Sequence, residues 1–125
     1  MFHIHAHIGR TCDFSFVVYE ADGTTPIELK LTDKVILKIG TNGQTPLIDL
    51  KSGVASANGS SVAFSVGTGD CTLHLAQGDV SLLAAGAYDA EITVLDTASS
   101  LPANTVKYAD YGVLSVHPSM TGTLT

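Results

Sequence analysis

Tryptophan is absent from this chain, and charge is scarce. Only 14% of residues are Asp, Glu, Lys or Arg, whereas a soluble domain usually carries about 25%. Six basic residues stand against twelve acidic ones, and the net charge is -6. No Lys/Arg cluster offsets that field locally, and a phosphate backbone is repelled by it, so nucleic acid is not an expected partner. Cysteine is limited to Cys12 and Cys71, without a CxxC pair, and the spacing fits two small buried hydrophobes or a cross-strand disulfide. No apolar run approaches the roughly 20 residues of a membrane-spanning helix, and no membrane partner is expected. Met1-Phe2-His3-Ile4-His5 lacks the basic-then-apolar order of a secretion signal, so the expectation is a protein made and kept in the cytosol.

What the chain has is apolar content, 45% of its residues, in 125 positions. That is enough for one core without staples, and the low charge implies that a partner covers part of the surface. Gly, Ser and Thr punctuate short apolar runs about every ten residues, the rhythm of a sandwich or barrel. Phe2, Ile4, Ala6 and Ile8 share one strand face, and His3, His5 and His7 share the other. Val35, Leu37 and Ile39 alternate with Lys34 and Lys38, and Tyr88, Ala90, Ile92 and Val94 alternate with Asp89, Glu91 and Thr93. Asn42-Gly43 predicts a two-residue hairpin turn. Asp79 predicts the N-cap of one helical turn over Val80 to Ala84, stopped by Gly86. The fold expected is all-β: an Ig-like antiparallel β-sandwich with one short helical turn, a single domain over 1–125. Residues 1–8 are read as a terminal strand or arm and 119–125 as a flexible or partner-bound tail.

The order of these pieces carries a resemblance. Phe14-Ser15-Phe16-Val17-Val18 leads through Ala21-Asp22-Gly23 to Pro26-Ile27-Glu28-Leu29, then Lys34 to Ile39. Later come Cys71 to Leu75, Asp79-Val80-Ser81-Leu82-Leu83, Ala85 to Asp89, and Gly112-Val113-Leu114-Ser115-Val116-His117-Pro118 running on to Thr121. In this order the chain resembles the N-terminal domain of the siphophage upper baseplate protein, and small β-sandwich proteins of tailed-phage particles. The resemblance spans about Gly9 to Thr121, while the His-rich opening and Ser60 to Thr68 look like additions to it. It implies a non-enzymatic virion component assembled in the host cytoplasm. Such a tail, baseplate or fibre adaptor docks to other virion proteins or copies of itself in a symmetric array. A head decoration (cement) protein is an alternative.

The sharpest chemical feature is His3, His5 and His7. Imidazoles at alternate strand positions can converge on one metal, and the same pattern also serves as the wet face of a first strand. No other cofactor is expected. Ser, His and Asp are present without a Gly-x-Ser-x-Gly elbow, and Asp89 and Glu91 read as a solvated strand face, so no catalytic residue is assigned. The contact residues expected are Phe2, Ile4, Ile8, Tyr108, Tyr111 and Met120. Tyr108 and Tyr111 also admit another function, a carbohydrate-binding module whose aromatic rings stack on a host surface glycan.

Overall fold

The computed structural model describes residues 2–41, 43–96 and 105–118. The tail 119–125, Met120 in it, Asn42 and the loop 97–104 lie outside the described residues. Among those described, alternation becomes the strands β1 (Phe2–His7), β2 (Cys12–Val17), β3 (Asp33–Gly40), β4 (Ile48–Lys51), β5 (Ser61–Phe64) and β6 (Asp70–Leu75). A short helix α1 (Gln77–Val80) follows, then β7 (Gly86–Asp96) and β8 (Thr105–His117). They form a five-stranded sheet in the order β1-β8-β7-β3-β4 and a three-stranded sheet in the order β2-β6-β5.

This is an immunoglobulin-type arrangement. In immunoglobulin lettering, β8-β7-β3-β4 correspond to G-F-C-C′ and β2-β6-β5 to B-E-D. A second hallmark comes from Tyr88, the third residue of β7. Its hydroxyl donates to the Ala84 carbonyl at 2.8 Å, four residues upstream. That is the tyrosine corner of the E–F turn. The Tyr88 ring packs half-buried against the core, on the face its alternation with Asp89 and Glu91 predicts, and its hydroxyl in addition pins the turn.

The sandwich departs from all-antiparallel pairing at one place. β1 pairs with β8 in parallel, Phe2 opposite Gly112 through His7 opposite His117. The turn after β1 carries Gly9 at φ +84° and takes the chain across to the other sheet, so β1 and β2 never form a hairpin. β1 is also no detachable arm: Ile4 and Ala6 are each 1% exposed and belong to the core. Phe2 lies over Gly112, where an added Cβ would stand 2.3 Å from the Phe2 carbonyl oxygen and 2.5 Å from its ring. Only glycine permits that closeness.

Val35, Leu37, Ile39, Leu50, Leu73, Leu75, Ile92, Val94 and Leu114 fill the space between the sheets, all almost fully buried. Each such side chain contributes roughly 1.5–3 kcal/mol relative to exposure. Cys12 and Cys71 are buried and free. Cys12 faces Leu75 and Cys71 faces Phe16, four residues apart along the same strand pair. That separation is about 13 Å at strand rise, beyond the roughly 7 Å a disulfide tolerates. Burial pushes the Cys71 thiol up to about 12, with the Asp70 charge adding to it.

Three local expectations are corrected. The β3–β4 connection is longer than a two-residue hairpin, because Ile39 faces Ile48. Thr41 to Gln44 closes a turn inside it, with Gly43 at φ +83°. The helix begins earlier than expected, capped by Ala76 without a side-chain bond, and Gly86 opens β7. Asp79 sits within the helix and acts across the chain. Its carboxylate accepts from the Ser56 hydroxyl at 2.8 Å, the Asn58 amide at 3.0 Å and the Ser60 hydroxyl. The Ser60 hydroxyl also accepts from the Ala76 amide at 2.8 Å. Burial raises the Asp79 pKa, but the bonds from Ser60, Asn58 and Ser56 outweigh it, and the net shift is downward.

Candidate interaction surface

Register determines what the outer face of the large sheet displays. Residues directly opposite share a face, so the parallel β1–β8 pair aligns His3 with Val113, His5 with Ser115 and His7 with His117. The result is a ladder of imidazoles on the solvent side. His3 stacks on His5 at 4.3 Å, His5 on His117 at 5.3 Å and His7 on His117 at 4.9 Å between ring centres. His3 Nε2 lies 2.8 Å from Ser115 Oγ, and His5 Nδ1 lies 3.0 Å from His117 Nε2. Among the described residues no three His, Cys, Asp or Glu side chains gather to hold an ion by themselves. The sequence reading missed His117. Its outward parity on the closing strand was visible, but only the parallel register brings it to β1.

Further along the same face, Tyr111 stands opposite Glu91, which stands opposite Lys38. These side chains, with Asp89, Thr41 and Gln44, line an open groove of about 410 Å³ beside the β3–β4 loop. Tyr111 is 65% exposed. Glu91 accepts from the Thr93 hydroxyl at 3.1 Å. An exposed ring beside carboxylates, an amine and an amide can stack on and hydrogen-bond to a polar ligand.

Tyr108 does not join it. Three positions separate it from Tyr111, so it falls on the opposite face, half-buried against the core. Its hydroxyl donates to Asp110 Oδ2 at 3.3 Å. Burial, then the charge and hydrogen bond of Asp110, push the phenol up to about 12. The two rings therefore form no shared platform. Ile4, expected at a contact, belongs to the core, while Phe2 and Ile8 are half-buried at its margin.

The flank of the sandwich beside β1 is the remaining feature. β1 covers β8 only from Gly112 to His117. Over Thr105 to Tyr111, β8 pairs with β7 on one side, and no described strand lies on the other. Across the flank, Phe2 and Phe14 stand 6.3 Å apart and Phe14 and Phe16 6.0 Å, all half-buried. A strand edge that β1 leaves uncovered, beside an apolar stripe, is the geometry that accepts an added strand.

The three-stranded sheet carries one row with the residue types of a hydrolase triad. Ser61 and Asp13 both stand opposite His74, whose Nδ1 donates to Asp13 Oδ1 at 2.6 Å. The carboxylate of this row is 74% exposed, and the groove lies on the other sheet. The row is an exposed hydrogen-bonded pair, His74 and Asp13, beside Ser61. A scan against protein-family models finds no match for this chain, and a search of curated proteins finds none either.

Proposed function

We propose that this chain is a non-enzymatic structural module of a tailed-phage virion, an adaptor in the tail, baseplate or fibre that docks through its strand edges and sheet faces. The observation that carries docking is the half-open edge of β8 beside the Phe2–Phe14–Phe16 stripe. A strand from a neighbour adds along the side of Thr105 to Tyr111 that faces away from β7, displacing the Asp110 carboxylate from the Tyr111 amide, and its inward side chains cover the aromatic rings. Scarce surface charge, 14% of the chain, lowers the cost of covering that flank. The phage setting rests on the order of sequence pieces from Gly9 to Thr121. Quantitative mass spectrometry of purified particles from the source of this chain tests it. A copy number at a small multiple of tail symmetry supports the adaptor. A number near that of the major capsid protein makes it a decoration protein instead, and absence from particles overturns the virion role.

A second reading is favoured by one specific feature, the groove at Tyr111. A glycan ring stacked on Tyr111 finds Asp89, Glu91, Lys38 and Gln44 at its edges. This reading requires a sugar-dependent rise in melting temperature that is lost in Tyr111→Ala and kept in Tyr108→Phe.

A further inference from the structure

We propose that the pair His5–His117 is a divalent transition-metal site that clamps the N-terminal strand to the closing strand. Two imidazole nitrogens, His5 Nδ1 and His117 Nε2, lie 3.0 Å apart. With metal–nitrogen bonds of about 2.0–2.1 Å, that separation subtends roughly 91–97° at an ion, whereas a tetrahedral ion asks for roughly 3.3–3.4 Å between nitrogens. A near-right angle is that of tetragonal or octahedral coordination, so the ion class is Ni²⁺ or Cu²⁺ with waters in the open positions.

Neighbouring rings flank the pair on both sides and keep it together while leaving each ring free to turn. His3 stacks on His5 and is itself fixed against Ser115, while His7 stacks on His117 from the other end. Because His5 sits on β1 and His117 on β8, the grip spans the parallel pair and not a single strand. In the free protein one of the two facing nitrogens carries the proton shared between them. On binding, that proton moves to the outer nitrogen of its own ring, so both rings ligate as neutral imidazoles through lone pairs that rotate from each other onto the ion. The protein's net charge of -6 adds a long-range attraction for cations.

Titration of the whole chain with NiCl2 by calorimetry, paired with thermal melts across the same concentrations, tests the site. The expected result is saturable uptake of one ion per chain and a melting temperature that climbs with nickel concentration. His5→Ala and His117→Ala should each weaken uptake at least tenfold and remove the thermal shift, while His74→Ala, outside the ladder, should change neither. Both ladder rings face solvent, so melting without nickel reports whether each variant is folded; His117→Gln serves as a second replacement at that position. Absence of saturable uptake overturns the site, as does uptake that survives in the His5→Ala/His117→Ala double variant.

Discussion

Asp79 shows how far one side chain can act from its place in sequence. Its carboxylate ties the loop before β5 to α1 through Ser56, Asn58 and Ser60. Replacing it with Ala leaves the buried Ser60 hydroxyl without its acceptor, and the expected loss is about 1–3 kcal/mol in urea unfolding. The charge matters as well as the shape. The folded-state pKa lies below the unfolded value near 4, so this contribution is present above that value and is lost as pH falls through the folded pKa. Asp79→Asn should therefore flatten the stability profile on the acid side, as measured by melts from pH 6 downward. The cysteines give a second residue-scale test. Both thiols are buried with raised pKa values, Cys71 to about 12. A thiol reagent at pH 8 should label neither at a measurable rate until denaturant opens the sheets, and fast labelling of the native chain would contradict the packing.

At the scale of elements, the sequence announced what depends on alternation and hid what depends on register. β3, β6 and β7 were legible because their apolar residues recur every second position and each lands in the core. The turns at Gly23, Gly59 and Gly67 were legible because each adopts positive φ. The helix was misplaced because Asp79 has an N-cap's residue type while its partners lie some twenty positions back, in the loop before β5. The parallel β1–β8 pair left no local trace, since its partners stand at opposite ends of the chain. That pairing also explains why His117 was overlooked and why the reading of residues 1–8 left strand and arm both open. Gly112 is the key to it. Gly112→Ala drives a methyl into the Phe2 backbone and ring, and the expected cost is about 1–3 kcal/mol, concentrated in β1. Hydrogen exchange should show the amides of Ile4 and Ala6 losing protection while those of β3 and β7 keep most of theirs.

At the scale of the whole molecule, the large sheet has a flank at β1 and another at β4. On one, β1 closes only half of β8, and aromatic rings of both sheets line the gap. A domain that works alone blunts such an edge with charge, proline or a bulge. Among the described residues the register of β8 shifts between the partners of Val94 and Leu95, near its start, and Ala109 to Tyr111 stays regular, with the Asp110 carboxylate accepting from the Tyr111 amide at 2.8 Å. Val106 and Ala109 are exposed on this stretch, so charge can be added without touching the core. The double variant Val106→Lys/Ala109→Lys should fold with stability changed by about 0.5 kcal/mol or less, as surface replacements generally do. If strand addition at this edge drives assembly, sedimentation velocity should show the parent chain associating as concentration rises and the variant remaining monomeric. Association that is equal in both would move the contact to the outer sheet face at Tyr111, while a parent monomeric at every concentration would leave the edge for a different protein. A pull-down with the particle components found beside this chain then discriminates the last case, because only the parent, and not the variant, should retain its neighbour.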